Sequence, residues 1–239
     1  MVGRKTALVV SAHSADFVWR AGGAIALHTG MGYHVRVVCL SFGERGESPK
    51  HWKREEITLG EVKANRMWEA QRPPDILGCE LVFLDLGDYP LRLHEDELFD
   101  LVDHFRELQP AFVLSHSLDD PYNFDHPAAT RLTQEARIVA QAHGHNPTEQ
   151  VLGAPPVYLF EPHQTEQCNW RPDAFLDIGS VWEKKRKAFE CMEAQEHLWE
   201  YYTRVALQRG NQAARNSGKK VTYGEAYQRL FPELVEVLA

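Results

Sequence analysis

The chain has 239 residues with 26 Lys and Arg against 34 Asp and Glu, so its formal net charge at pH 7 is −8. This length is enough for a buried core in one large domain or two small ones, and the apolar share of 44% with a charged share of 25% excludes global disorder. The acidic balance, without a sustained basic run, argues against nucleic acid or an anionic membrane as the main partner.

The sequence indicates neither membrane insertion nor secretion. No stretch approaches the roughly 18–20 apolar residues that span a bilayer, and the apolar run that follows Arg4 and Lys5 is too short for the core of a signal peptide. Four cysteines stand far apart without a CxxC pair, which favours reduced thiols over a disulfide scaffold. We therefore expect a cytoplasmic protein.

Short apolar runs rich in β-branched residues alternate with longer amphipathic segments through the first two thirds of the chain. The runs predict strands at 7–11, 35–40, 81–84, 111–114 and 157–160. The segments between them predict helices near 17–30, 58–72, 95–108 and 127–142. This alternation is typical of βαβ units and predicts an α/β fold whose mostly parallel sheet is covered by helices. Such sheets bind ligands beyond the carboxyl ends of their strands, so the candidate site lies there.

The last third of the chain predicts a different organisation. A strand is expected at 175–178 and one long amphipathic helix over 181–209, because apolar residues recur there at helical spacing. The polar segment 210–220 is expected to be a mobile loop. Six Trp and eight Tyr, several of them near the long helix, favour an aromatic interface and a homo-oligomer of undetermined size.

The sharpest local motif is SAHSADF at Ser11–Phe17, directly after the first predicted strand. It places His13 and Asp16 three residues apart in a strand-to-helix turn, where both side chains can converge on one point. An imidazole and a carboxylate are a common partial ligand set for zinc. Alone the motif is weak, because Asp16 could equally cap the following helix.

A second loop supports a metal site. The segment 119–127, DDPYNFDHP, follows the fourth predicted strand and carries His126 with Asp125 beside it. One carboxylate and two imidazoles would leave an open coordination position for water or substrate, as a catalytic zinc site requires. The alternative is a polar loop with Asp119 or Asp120 near a helix start.

Two further loops bring acid and base residues to the same predicted edge of the sheet. After the second strand, FGERGES carries Glu44 and Glu47, and either could act as a general base or orient a ligand imidazole. After the fifth strand, EPHQ carries His163, and an imidazole suits a general acid at neutral pH. Of the twelve histidines, His116 also follows a strand, whereas the remaining eight, including His197, are expected to be structural or solvent-facing.

Together, AHSAD after the first strand, GERGE after the second and the DH-containing loop after the fourth resemble the motifs of the zinc-dependent PIG-L/LmbE-like deacetylases. The resemblance covers residues 1–165 and is weaker in the terminal helices. It implies a Rossmann-like α/β sandwich and a single domain over 1–239, to which 166–239 add a strand and helices. The family's ligand set, carried over by position, implies a Zn²⁺ ion held by His13, Asp16 and His126.

Two positions depart from the family pattern. The aspartate that serves these deacetylases as general base is matched by Ala15, and a methyl group cannot take a proton. The first histidine of the family's second motif, thought to assist the tetrahedral oxyanion, is matched by Asn123. Because the three metal ligands are kept while both deacetylase helpers are changed, we infer a metal site adapted to other chemistry.

Longer stretches, among them AHSADFVWRAGGAIALH and FLDLGDYPLRL, resemble family members that hydrate a carbon–carbon double bond instead of cleaving an amide. This resemblance implies a zinc-dependent hydro-lyase acting on a small anionic tricarboxylate. We expect Glu47, with Glu44 as the alternative, to activate water and His163 to protonate the neighbouring carbon. Such a substrate needs cationic and amide contacts despite the acidic charge, and the candidate substrate-binding residues near strand ends are Arg20, Arg45, Arg92 and Asn123.

Two other functions stay open on the sequence alone. One is an N-acetyl-sugar deacetylase in which Glu47 takes the place of the missing aspartate. The other is a degenerate fold that no longer catalyses a reaction and serves as a binding or assembly module. Acetate release would indicate the first, and absence of stoichiometric metal would indicate the second.

Overall fold

The computed structural model describes residues 4–234, and one sheet organises them. Its strands are β1 (Thr6–Ser11), β2 (His34–Cys39), β3 (Glu80–Phe83), β4 (Val113–Ser115), β5 (Val157–Phe160), β6 (Ala174–Asp177) and β7 (Gly224–Arg229). They lie in the order β3-β2-β1-β4-β5-β7-β6. Neighbours from β3 to β5 pair in parallel, whereas β7 runs antiparallel to both β5 and β6.

Seven α-helices connect and cover these strands within the described residues. They are α1 (Asp16–Gly30), α2 (Leu59–Ala70), α3 (Pro73–Leu77), α4 (Glu95–Leu108), α5 (Asp125–Ala140), α6 (Trp182–Phe189) and α7 (Trp199–Ser217). Short 3₁₀ segments occupy His51–Lys53, Thr165–Gln167, Gly179–Val181 and Glu193–Leu198. Of the described helices, none is long and apolar enough to cross a membrane.

Alternate residues of β1 enter two separate hydrophobic cores, one on each face of the sheet. Ala7 and Val9 pack in a core that includes residues of α1, α6 and α7. Leu8 and Val10 pack in the opposite core with residues of α4 and α5. All four side chains are fully buried, as expected for a central parallel strand covered on both faces. The predicted α/β fold with a mostly parallel, helix-covered sheet is confirmed.

The sheet order places the candidate site between β1 and β4. The chain leaves β1 toward β2 and β3 on one side and continues with β4 and β5 on the other. In an open parallel sheet this reversal opens a crevice at the carboxyl ends of the two central strands. The loop after β1 carries His13 and the loop after β4 leads to His126, so both motifs meet at this crevice.

The prediction of one long helix over 181–209 is wrong. After α6 the chain leaves helical geometry, and Gln195 within Glu193–Leu198 has φ −124° and ψ 33°. Only at Trp199 does α7 begin, and it runs through Ser217 into the segment predicted as a loop. Within this polar extension Gly210 packs directly on backbone, since an added Cβ would lie 2.2 Å from the carbonyl oxygen of Thr222.

The strand β7 was not predicted, because its sequence GEAYQR lacks an apolar run. Its buried polar side chains find partners on α1 and α6. The Glu225 carboxylate accepts hydrogen bonds from the backbone N–H groups of Gly23 and Ala24 and from the Lys185 ammonium at 2.6–2.8 Å. Because these partners satisfy the buried carboxylate, a polar segment forms a strand inside the protein.

Candidate metal centre and cleft

The turn after β1 brings His13 and Asp16 together as their spacing predicts. Asp16 is the first residue of α1, and its Oδ2 atom lies 3.1 Å from Nδ1 of His13. The same oxygen accepts the backbone N–H of His13 at 3.1 Å. Both side chains are buried, so they meet in a place from which bulk water is largely excluded.

His126 joins this pair from the first turn of α5. Its Nε2 atom lies 3.4 Å from Oδ2 of Asp16. One potential ligand atom from each of His13, Asp16 and His126 lies within 4.8 Å of the other two. Two imidazoles and one carboxylate that converge in this way are the ligand set of many catalytic zinc sites.

Two further aspartates orient the histidine rings. Asp125 lies 3.1 Å from Nε2 of His13, and Asp120 lies 2.8 Å from Nδ1 of His126. Burial raises the pKa of both carboxyls, but their bonds to the histidines outweigh it and hold each pKa below its usual value. Both aspartates are therefore acceptors at neutral pH, and the opposite nitrogen of each ring is left to face Asp16.

The electrostatics of the site favour a cation. Burial lowers the pKa of His13, yet its hydrogen bonds to Asp125 and Asp16 prevail and raise it to about 10. Burial raises the pKa of Asp16, but the neighbouring His126 and His116 hold it well below its usual range. Nε2 of His126 is buried and has no hydrogen-bond partner in the described residues. An orphaned imidazole nitrogen beside a carboxylate fits a divalent metal ion.

His116 contacts both the loop after β1 and the ring of His126. Its Nε2 accepts the backbone N–H of Ala12 at 2.9 Å, and its ring stacks on His126 with centroids 4.2 Å apart. Burial and the nearby His126 hold its pKa well below the usual value, so the ring is neutral. It therefore positions the loop and the ligand ring, in keeping with the expectation that it neighbours the site.

Glu47 lies in the cleft beside the metal centre, held by three donors. Oε1 accepts the Nδ2–H of Asn123 at 2.9 Å and the hydroxyl of Tyr89 at 3.2 Å, and Oε2 accepts the Nε2–H of Gln195 at 2.8 Å. All three partners found among the described residues donate to Glu47, so its carboxylate presents only acceptor oxygens to the cleft.

Glu44, the alternative base, lies away from the cleft. It is almost fully buried, and its side chain is directed toward Asp88 and Gly87. Burial raises its pKa, and the charge of Asp88 acts in the same direction. Asp88 in turn accepts the backbone N–H groups of Arg45 and Gly46. Glu44 therefore packs beneath the loop beside Asp88, whereas Glu47 lies on the side of the loop that lines the cleft.

Of the three predicted arginine clamps, only Arg20 lines the cleft. Its Nε donates to Oδ1 of Asp16 at 3.3 Å and its Nη1 to the carbonyl of Glu161 at 2.5 Å. Arg45 instead turns its guanidinium to the carbonyl of Asp88, and the exposed Arg92 lies in a separate groove with His94 and Glu95. The structure thus does not bring Arg45 and Arg92 to the metal centre.

His163 and Asn123 both lie where the sequence places them, at the cleft. The His163 ring stacks on Tyr201 with centroids 4.2 Å apart. Burial, followed by the charge of Arg20, lowers the pKa of His163, so its ring is neutral in the free protein. Asn123 is fixed by a second contact, in which its Oδ1 accepts the backbone N–H of Asp125 at 3.1 Å.

The cleft encloses about 280 Å³. Residues in its lining that the sequence did not single out include Trp19, Tyr89, Tyr122, Gln195, His197 and Tyr202. The tyrosine of the GDYP segment was detectable in principle, since it follows the third strand. Gln195 and Tyr202 come from the C-terminal part of the chain, where no local motif marks them. His197, expected to be structural or solvent-facing, is exposed and stands at this lining.

Comparison with known proteins gives a consistent picture. The family described as PIG-L: GlcNAc-PI de-N-acetylase matches residues 8–137. A Pseudomonas putida KT2440 protein named 4-oxalmesaconate hydratase is 62% identical over 99% of this chain and 93% of its own length. The crystal structure of GalB, the 4-carboxy-2-hydroxymuconate hydratase from Pseudomonas putida KT2440, is 63% identical with a TM-score of 0.96 and covers 98% of this chain and 100% of that one.

A more distant structure shares the fold. N,N'-diacetylchitobiose deacetylase from Pyrococcus horikoshii is 24% identical with a TM-score of 0.78, and the match covers 95% of this chain and 84% of that chain. The fold therefore extends to proteins of much lower identity. From the family match and the full-length relative together, the chain belongs to the PIG-L family.

Proposed function

We propose that this protein is a zinc-dependent hydratase that adds water to the carbon–carbon double bond of 4-oxalomesaconate, giving 4-carboxy-4-hydroxy-2-oxoadipate in the breakdown of gallate. The observation that carries the proposal is the position of the Glu47 carboxylate relative to Ala15. Glu47 lines the cleft, while the family's usual base position holds the buried methyl group of Ala15. The hydratase names of two near full-length relatives support it.

The metal would be held by Nδ1 of His13, a carboxylate oxygen of Asp16 and Nε2 of His126. Nitrogen ligands with one carboxylate suit zinc, and the aspartates behind each ring fix which nitrogen is presented. Zinc held there would supply a Lewis acid, which would lower the pKa of water and stabilise negative charge on an oxygen.

Hydration requires one group to take a proton from water and another to deliver a proton to carbon. The water oxygen bonds to one alkene carbon, its proton leaves to a base, and the neighbouring carbon receives a proton, so that H and OH are added in total. Glu47 is the proposed base, because its oxygens only accept hydrogen bonds from Tyr89, Asn123 and Gln195.

His163 is the proposed proton donor to carbon. Its ring is neutral in the free protein, since burial and Arg20 lower its pKa. An anionic substrate bound between Arg20 and His163 would raise the pKa of His163, because its negative charge offsets that of Arg20 and favours the protonated imidazole. His163 would thus take up its proton together with the substrate and pass it to the carbon next to the hydrated one.

Arg20 and Asn123 are the proposed substrate contacts among the predicted candidates. The Arg20 guanidinium is buried and held by Asp16 and the Glu161 carbonyl, which gives a fixed fork for a carboxylate. Asn123 stands between Glu47 and the backbone of Asp125. A cation at the metal centre and one buried arginine make the pocket locally positive on a protein of net charge −8.

We further propose a cytoplasmic location and a homo-oligomeric state. The four cysteines are free thiols in the structure, which suits a reducing compartment. Exposed aromatic side chains, including Trp68, Tyr122 and Phe124, are of the type that subunit interfaces bury. Sedimentation velocity of the purified protein tests the assembly.

The test of the reaction follows the ultraviolet absorbance of the conjugated substrate with zinc-loaded protein. We expect turnover that a chelator abolishes and added zinc restores. Acetate release from an N-acetylglucosaminyl compound is measured in parallel. Acetate release without hydration would contradict the proposal in favour of a deacetylase, and no turnover of either substrate by the metal-loaded protein would contradict it altogether.

A further inference from the structure

The segment Glu193–Leu198 covers one side of the cleft and contributes Gln195 to it. The Gln195 side chain is 5% exposed and donates from Nε2 to Oε2 of Glu47 at 2.8 Å. We propose that Gln195 is a positioning residue that holds the Glu47 carboxylate in its reactive orientation. The proposal rests on the proposed function, because it presumes that Glu47 moves the proton.

The direction of the Gln195 amide is determined by Arg66. Nη2 of Arg66 lies 3.4 Å from Oε1 of Gln195. A guanidinium only donates hydrogen bonds, so the amide must present its oxygen to Arg66 and its NH₂ group to Glu47. The other rotamer would place NH₂ against a cation and oxygen against a carboxylate. The amide therefore acts as a donor to Glu47 in one orientation only.

Arg66 is itself immobilised in the core. Its side chain is fully buried, its Nη1 donates to Oε2 of Glu69 at 2.7 Å, and its Nε donates to the carbonyl of Phe42 at 3.2 Å. The second oxygen of Glu69 accepts the backbone N–H of Ala194 at 2.9 Å. Helix α2 thus fixes both the side chain of Gln195 and the backbone just before it.

The chain departs from helical geometry at Gln195. This is the residue whose amide lies between Arg66 and Glu47, next to the Ala194 N–H that donates to Glu69. Tyr89 and Asn123 hold only Oε1 of Glu47, so Gln195 is the donor found for Oε2 among the described residues. Without it, the carboxylate can rotate about its last side-chain bond.

Two substitutions separate this role from a merely structural one. In Gln195→Glu the carboxylate still accepts from Arg66 but does not donate to Glu47, and in Gln195→Met both contacts are lost without a new charge. With zinc-loaded protein we expect kcat for hydration to fall about 10- to 100-fold in both variants, as for loss of a hydrogen bond to a charged group. We expect KM and bound zinc to stay within about twofold, because Gln195 orients Glu47 and contacts neither metal nor the Arg20 side chain.

Gln208→Met, on the exposed face of α7, is the matched control and should keep wild-type kcat. If Gln195 had only a structural role, through its contact with Arg66, Gln195→Glu would keep the wild-type kcat. If a loss in Gln195→Glu came only from charge repulsion, Gln195→Met would keep the wild-type kcat. The proposal is overturned if either variant retains kcat within twofold of the wild type. If Gln195→Met does not fold, Gln195→Ala takes its place, because it also removes both contacts without adding a charge.

Glu47→Gln is assayed beside them to separate the two proposals. Wild-type activity in Glu47→Gln would remove the proposed role of Glu47 itself. An inactive Glu47→Gln together with active Gln195 variants would remove only the positioning role.

Discussion

The Nδ1–H of His126 donates to Oδ2 of Asp120 at 2.8 Å, and this bond determines that Nε2 of His126 faces Asp16. Because Asp120 is ionised and buried, turning the ring would take the histidine donor away from Oδ2 and leave only the Tyr122 N–H bond to Oδ1. The second aspartate pair, Asp125 with His13, works in the same way from the other side. The geometry of the proposed metal centre thus depends on two side chains outside the proposed ligand set.

Replacement of Asp120 by alanine should weaken zinc binding while leaving the ligands in place. We expect a 10- to 100-fold loss of affinity, the usual effect of removing a carboxylate behind a ligand histidine. Competition with a chromophoric chelator measures it. Asp119→Ala, at the exposed neighbouring position, is the control, and equal affinities in the two variants would contradict the orienting role.

Zinc should stabilise the fold of the wild-type protein and not of a ligand variant. A ligand that binds only the native state adds about 2.7 kcal/mol at 100 times its Kd. We therefore expect the thermal midpoint of metal-free protein to rise on adding zinc, and His126→Ala to lose most of this rise. A midpoint that zinc does not move, measured by calorimetry, would argue against a metal bound by His13, Asp16 and His126.

Glu47→Gln should keep the metal and lose the reaction. The amide preserves the size of the side chain, but it is not a base at neutral pH. We expect kcat to fall by about 10²–10⁴, the range for a lost general base, with stoichiometric zinc retained by elemental analysis. Glu44→Gln is the matched control in the same loop, and a larger loss of kcat in that variant with bound zinc unchanged would reverse the assignment.

Arg20→Lys should raise KM for the tricarboxylate by about tenfold, because an ammonium cannot reproduce the planar two-point fork. Arg45→Lys and Arg92→Lys should leave KM unchanged, since the structure places both side chains outside the cleft. Steady-state kinetics with parallel zinc determination distinguishes substrate binding from damage to Asp16. An unchanged KM in Arg20→Lys would exclude it as a carboxylate contact.

Gly23→Ala should destabilise the protein from within α1. A Cβ atom at Gly23 would lie 2.6 Å from Ile178 and 2.8 Å from Oε1 of Glu225. We expect a loss of about 1–3 kcal/mol in the free energy of unfolding, typical of overpacking, by urea denaturation. Gly30→Ala at the end of the same helix has open space around it and should gain up to about 1 kcal/mol.

The elements of the first two thirds of the chain could be predicted because short segments of sequence specify them. A β-branched run followed by a polar turn specifies both a strand and its position at the carboxyl edge of a parallel sheet. His13 and Asp16 lie within one such turn, and His126 follows another, so their shared position at the carboxyl edge of the sheet was enough to predict that they meet. Glu47 and His163 were found for the same reason.

The remaining parts of the site depend on contacts that no short segment encodes. Gln195 bonds to Glu47 across 148 positions of sequence, and its segment has no periodic pattern. The side chains of Arg45 and Arg92 were expected in the cleft because their loops start there. The direction of a long side chain depends, however, on the acceptor that it reaches, and the Arg45 guanidinium donates to the carbonyl of Asp88. Likewise β7 is polar in sequence, and the partners of its buried Glu225 include Lys185 and the backbone of α1, which lie far away along the chain.

The late position of Glu225 in the chain has a consequence for how the protein is made. Helix α1, which supplies Asp16 and Arg20 to the site, has its Gly23 and Ala24 N–H groups bound by a side chain about 200 residues downstream. While the ribosome is still adding β6 and α7, that contact does not exist. Helix α1 therefore reaches its final environment only after Glu225 has been translated, and a nascent chain that stops before Glu225 lacks the carboxylate that binds these two N–H groups.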